Sequence, residues 1–138
     1  MIIPKPTHSD FAVAGVFLVY KEKSLYLYRH TENCWGVPAG KVESGETLTE
    51  CIIREVKEEI GVTLHPAQLT QKETYYLKHG TKVFSYTVFV CELASEPDIL
   101  LNAEHTDYAW ATPHEALDLE LIEDEDICIK DTFNVVVE

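Results

Sequence analysis

The sequence predicts an α/β fold in which helices pack on a mixed β-sheet. Three observations carry that expectation. Strand-like segments stand both before and after one strongly marked helix. The apolar residues of that helix gather on one face, which must cover another layer. The chain has 138 residues, 46% apolar and 25% charged, which suits one soluble domain with a sizeable core, expected over residues 1–138.

The elements follow in order. "FAVAGVFLVY" (Phe11–Tyr20) is expected to be a strand buried on both faces for part of its length, because its apolar residues run on without strict alternation. "KEKS" (Lys21–Ser24) is a turn, and "LYLYRH" (Leu25–His30) alternates and should pair back as a hairpin. Thr31–Glu46 reads as an irregular loop holding Pro38 and three of the six glycines, and a loop this long inside a compact domain is usually functional. Thr47 and Glu50 have capping-box spacing, so a helix should run over about Leu48–Ile60, with Gly61 in the left-handed position that ends it. "TQKETYYLKHG" and "TKVFSYTVFVCEL" are two further strands turning near Gly80, and "YAWAT" is a short one. Thr112-Pro113-His114-Glu115 opens a second helix with proline in its first turn, and "LIEDEDICIKDTFNVV" ends the chain as a last helix with an irregular end.

Charge excludes several classes of function. Eleven basic residues stand against 24 acidic ones, a net −13, which argues against binding polymeric nucleic acid or an anionic membrane. No apolar run approaches the roughly 18 residues of a membrane span, and "MIIPKPTHSD" lacks a secretory pattern, so the expected location is cytoplasmic. Cys34, Cys51, Cys91 and Cys128 form no CxxC pair and are expected to be free thiols, and the six histidines show no zinc-binding spacing. An acidic surface repels phosphate-bearing ligands, and a bound divalent cation would overcome that locally.

The helix carries "REVKEE". At about 100° per residue, Leu48, Ile52, Val56 and Ile60 share one face with Cys51 at its edge, while Glu50, Arg54 and Lys57 fall opposite, toward solvent. Glu55, Glu58 and Glu59 do not join them: they lie on or beside the buried side. A solvated charged face accounts for Glu50 and Lys57 but not for Glu55 and Glu59. Carboxylates at i, i+3 and i+4 repel, and moving them toward a core adds desolvation cost. Arg54 offsets part of one; the rest calls for a hard cation with oxygen ligands, Mg²⁺ or Mn²⁺. In the preceding loop, Gly36, Ala39-Gly40 and Gly45 let the backbone approach a ligand, and a main-chain carbonyl near Ala39–Gly40 is a further candidate metal ligand.

Reading from Gly40, the pattern is glycine, five residues, Glu46, seven residues, Arg54-Glu55, apolar Val56, any residue, Glu58-Glu59, any residue, Gly61 and apolar Val62. This resembles the complete signature of the Nudix hydrolases, with every fixed position filled, and the segment "EHTDYAWATPHEAL" is similar to the family as well. The resemblance implies a Nudix-type α/β/α sandwich around a mixed sheet. It implies Mg²⁺-dependent hydrolysis of a phosphoanhydride in a nucleoside diphosphate linked to another group. By the same resemblance Glu55 and Glu59 are direct metal ligands, Glu58 a further ligand or the base for the attacking water, Arg54 an orienting residue, and Glu46 a support for a metal or a salt bridge. Ala39 stands where many members have a second glycine, but its carbonyl can still serve. Glu104 occupies a loop in which some relatives place a metal-binding or basic glutamate. Arg29 ends a strand facing the loop and is placed to meet phosphate, and Tyr75, Tyr76, Phe84 and Tyr86 are candidates to stack a base.

The expected partner is a small-molecule nucleotide, most simply a nucleoside triphosphate, since the chain is short. The alternatives are a nucleotide-sugar or dinucleoside polyphosphate hydrolase, or a module that senses a nucleotide without cleaving it. Sensing modules usually lose box glutamates, and none is lost here. ADP-ribose-cleaving relatives tend to carry a proline beyond the box, and none lies between Pro66 and Pro97. A homodimer is left open by the sequence.

Overall fold

A computed structural model describes residues 1–136; positions 137 and 138 of the expected domain lie outside the described residues. Its elements are β1 (Ile2–Ile3), β2 (Phe11–Tyr20), β3 (Lys23–Arg29), β4 (Cys34–Gly36), β5 (Ala39–Lys41), α1 (Leu48–Ile60), a 3₁₀ turn (Pro66–Gln68), β6 (Leu69–His79), β7 (Lys82–Glu92), β8 (His105–Ala111), α2 (Pro113–Ala116) and α3 (Glu125–Phe133).

The strands form one mixed sheet ordered β1-β6-β7-β2-β3-β4, with β5 on β2 and β8 on β3. The central pair, β2 and β7, is parallel from Phe11↔Phe84 to Val19↔Glu92. β2 divides its other edge: Val13–Gly15 pair with β5, whereas only Val19 and Tyr20 pair with β3. The two neighbours therefore splay apart over the middle of β2.

Alternation on the strands feeds two cores. Ala14, Val16 and Leu18 of β2, Leu25 and Leu27 of β3, and Phe89 and Cys91 of β7 meet Cys51, Ile52, Val56 and Ile60 of α1. Phe17, Tyr26 and Val88 point the other way, onto Ala116 of α2 and Cys128 and Ile129 of α3. This is the α/β/α sandwich. It explains why Phe11–Tyr20 reads as apolar throughout: both faces are covered.

The first helix starts and ends where the sequence places it. Thr47 Oγ1 accepts from Glu50 N–H at 3.1 Å, Glu50 returns the bond to Thr47 N–H at 2.9 Å, and Gly61 takes φ +74°. α2 has the same cap on Thr112 but stops after one turn. The expected loop Thr31–Glu46 is the main correction, because it contains two three-residue strands, β4 and β5. Segments this short, interrupted by Gly36 and Pro38, carry no periodicity; β2 and β3 impose the extended form. β8 is also longer than expected and begins at His105.

Candidate active site

α1 lies with its apolar face on β2 and β5, and this packing sets Glu55 and Glu59 of "REVKEE" against β5. Glu59 is the most deeply placed, with 3% of its surface exposed. Ala39 N–H donates to both its oxygens, at 3.3 and 3.4 Å. The β5–β2 bonds run through Pro38 O and Val42 N–H, so Ala39 turns its polar edge away from β2. In an extended strand a residue's N–H and C=O share one edge, which leaves the Ala39 carbonyl on the Glu59 side. Burial pushes the Glu59 carboxyl up to about 8, against the opposing pull of the Ala39 N–H; the charges of Glu55 and Glu104 push the same way, and Arg29 opposes them.

Glu55 is partly buried, and burial raises its carboxyl despite the neighbouring Arg54 guanidinium. A Cβ on Gly40 would collide with the Glu55 carboxyl carbon. The glycine thus makes room for a box side chain rather than for a ligand. Gly45 differs: it sits at φ +80° with open space around it, so it shapes a turn. Gly36 faces Ile122 at 3.3 Å. The expectation that all three glycines admit a ligand is corrected accordingly.

Arg54 overturns its wheel position. Its side chain is only 23% exposed and folds back into the site. Nε and Nη2 bind Glu46 at 2.7 and 3.0 Å, Nη1 reaches Glu55 at 2.7 Å, Glu58 at 3.3 Å and Glu43 at 3.5 Å, and Nη2 also donates to Lys41 O at 3.1 Å. A long side chain goes where its head finds partners, so the direction of its Cα did not decide the outcome. One guanidinium therefore serves four carboxylates, not part of one. The Arg54 hydrogen bonds hold Glu46 down to about 2. Glu58 remains exposed at 57%, and Glu50 is spent on the helix cap.

The box carboxylates are not drawn into a tight cage. Among the described residues, only His79, Glu123 and Asp124 bring three potential ligand atoms within 4.8 Å of one another. That group, with His79 and Glu123 exposed and Asp124 partly buried, is a charge cluster in which His79 Nε2 meets Glu123 at 3.1 Å and the Met1 ammonium meets Asp124 at 2.8 Å.

A cavity of about 360 Å³ meets the box at Ala39, which lines it and whose N–H is bound to Glu59; Arg29 lines it as well. Phe84 and Tyr86 line it, as does Phe11, which stacks on Phe84 with ring centroids 4.8 Å apart. Tyr75 and Tyr76 do not line it; Tyr75 is turned to α3, its hydroxyl donating to Asp131 at 2.7 Å. The sequence reading missed Glu125 on the cavity wall. Glu125 is 4% exposed, accepts from Val37 N–H at 3.3 Å, and burial pushes its carboxyl up to about 7. It lies within the acidic run "EDED", where no pattern separates it from its solvated neighbours. Glu104 is exposed in the turn just before β8, and its charge is felt by both Glu55 and Glu59. The four cysteines are free, with Cys51, Cys91 and Cys128 buried. No helix among the described residues is long and apolar enough to cross a membrane.

Comparison with known proteins gives a consistent picture. A family model described as NUDIX domain matches residues 10–131. The nucleoside triphosphatase NudI of Escherichia coli O139:H28 (strain E24377A / ETEC) is 30% identical over 96 residues, covering 63% of this chain and 67% of the relative. Its counterpart in Salmonella schwarzengrund (strain CVM19633) is 34% identical over 90 residues, covering 59% and 63%. Among solved structures, a C. elegans Ap4A hydrolase binary complex superposes with a TM-score of 0.76 at 23% identity, covering 90% of this chain and 96% of that one. The E. coli dihydroneopterin triphosphate pyrophosphohydrolase gives 0.76 at 24% identity with the same coverage. At these identities the structural likeness shows the fold.

Proposed function

The chain belongs to the Nudix domain family of hydrolases, and on that premise we propose that it is a Mg²⁺-dependent pyrophosphohydrolase acting on a nucleoside triphosphate or a related nucleotide. One observation carries the reading. Glu59 is a buried carboxyl whose only hydrogen-bond donor among the described residues is a backbone N–H, while every donor nitrogen of the nearby Arg54 is engaged elsewhere. A carboxylate taken from water without a counter-charge is costly. A hard cation bound by oxygen ligands supplies what is missing.

The donor set fits such a cation: Glu55 and Glu59, with the Ala39 carbonyl on the same edge, and Glu58 as a further ligand or a proton acceptor. When bound, the cation screens the phosphate oxygens, lowers the pKa of water and stabilises the leaving phosphate. The protein's own groups do the rest. Arg54 holds Glu55 and Glu58 in place through two charge-assisted bonds. Arg29, on the cavity wall, receives a phosphate oxygen. An exposed carboxylate, Glu58 or Glu104, takes the proton from the attacking water. The cavity, of a size that holds a small molecule, takes the nucleoside against Phe84 and Phe11.

The test is a panel of nucleoside triphosphates, nucleotide sugars and dinucleoside polyphosphates, read by phosphate and pyrophosphate release. At least one is expected to be split with Mg²⁺ or Mn²⁺ and not in excess EDTA. Undiminished hydrolysis in EDTA, or none of any substrate with either metal, contradicts the proposal. Turnover of the sugar or dinucleoside class alone would move the substrate assignment without moving the chemistry.

A further inference from the structure

Glu104 is a candidate carboxylate that no regular element carries, and unlike Glu46 it has no Arg54 bond to hold it. It is exposed and comes at the end of the segment joining β7 to β8. A side chain on such a segment acts in chemistry only if its backbone is fixed, and the structure shows what fixes it. The last carbonyls of a helix have no partner within the helix. Here the segment supplies them: Leu100 N–H donates to Ile60 O at 2.9 Å and Asn102 N–H to Glu59 O at 3.0 Å. The second bond ties the segment to the backbone of the most buried box glutamate.

The Asn102 side chain then closes the turn that carries Glu104. Its Oδ1 accepts from Glu104 N–H at 3.2 Å and from the His105 ring at Nδ1, at 2.9 Å. An oxygen acceptor requires the proton on Nδ1, so His105 is the Nδ1–H tautomer, with a lone pair on Nε2. His105 is 4% exposed, and among the described residues its Nε2 has no partner; burial and the Asn102 bond make the ring a fixed wall rather than a mobile surface group. Its main chain pairs with Arg29 across the β3–β8 ladder. Asn102 thus joins three parts of the site: the Glu59 backbone, the Glu104 backbone and the strand position opposite Arg29.

We propose that Asn102 is a positioning residue for hydrolysis, holding Glu104 beside the box through its backbone bond to Glu59 and its side-chain bonds to Glu104 and His105. The inference rests on the reading of Glu104 as a site carboxylate.

The experiment compares full-length wild type, Asn102→Ala, Asn102→Asp, Glu104→Gln and the Asn102→Ala/Glu104→Gln double variant on the best substrate of the panel. Asn102→Ala is expected to lower kcat about 10-fold or more with KM changed little, as for an interaction made chiefly in the transition state. Asn102→Asp keeps an acceptor for both donors and recovers most of the loss. In the Glu104→Gln background, Asn102→Ala costs less than about twofold, because residues acting through one another are not additive. The ¹⁵N shifts of the His105 ring give a readout independent of turnover: Nδ1–H in the wild type, lost in Asn102→Ala. Full additivity, wild-type kcat in Asn102→Ala or in Glu104→Gln, or an Nε2–H tautomer in the wild type overturns the proposal. The tautomer is read on the wild type, so that arm holds even if a variant fails to fold. A wild type that hydrolyses nothing refutes the enzymatic reading. An active wild type, silenced by box variants and indifferent to Asn102→Ala, refutes only this inference.

Discussion

Replacing Glu59 with glutamine should leave the metal-free protein as stable as the wild type or more so, while removing its response to Mg²⁺. Glu59 is 3% exposed, and in the metal-free fold its carboxyl is pushed from an ordinary 4.5 up to about 8. A folded-state value above the unfolded one means that the native state binds more protons between those limits. Stability therefore falls as pH rises through that window. At pH 7 the loss is about 3.5 kcal/mol, from roughly 2.5 pH units at about 1.4 kcal/mol each. Glutamine carries no charge, and its amide oxygen still accepts from Ala39 N–H, so the variant escapes that loss. The figure is an upper bound on its gain. In the opposite direction, a ligand bound only by the native state stabilises by about 2.7 kcal/mol at a hundredfold excess over its Kd. The wild type should gain this from Mg²⁺ and the variant much less. Thermal unfolding of both proteins, in EDTA and in saturating Mg²⁺, reads all four states. A wild-type midpoint indifferent to Mg²⁺, or a Glu59→Gln protein far less stable in EDTA, would show that these carboxylates form a structural network instead.

Two further outcomes follow from the same geometry. Burial holds Glu125 at about 7, so wild-type stability should also fall between about pH 4.5 and 7 on its account, and Glu125→Gln should flatten that slope; urea midpoints at pH 5 and pH 8 with equal differences in both proteins would contradict this. Gly40→Ala drives a Cβ into the Glu55 carboxyl and should lower turnover at least about 10-fold and stability by about 1–3 kcal/mol, whereas Gly45→Ala, strained at φ +80° but in open space, should cost about 1 kcal/mol and leave turnover intact.

The first helix was legible almost to the residue, because its limits are set locally by a capping box and a left-handed glycine. The hairpin turn and the strands around Gly80 were legible for the same reason. β4 and β5 were not: three residues cannot show a period, and their extended form is set by partner strands. The parallel pairing of β2 with β7 joins segments more than 70 residues apart, and no local pattern announces it. At the candidate site, the wheel turned Glu50 toward solvent, and Glu50 is exposed. The wheel misplaced Arg54, since it locates a Cα direction and not the end of a flexible side chain. Glu125 and Asn102 were invisible because their roles are contacts: Glu125 reaches Val37 across 88 positions, and Asn102 matters through the end of a helix it does not belong to.

The most direct test of the account is steady-state turnover with saturating Mg²⁺ for Glu58→Gln, Glu59→Gln and Glu50→Gln. All three glutamates lie in or beside one run of the same helix, so composition and local charge change alike. The structure separates them: Glu59 is buried against Ala39, Glu58 is held by Arg54 at 3.3 Å, and Glu50 closes the capping box. Turnover is expected to fall on the order of 10²-fold or more in Glu58→Gln and Glu59→Gln. Glu50→Gln is expected to keep near wild-type turnover. Similar kinetics for all three variants would contradict the account.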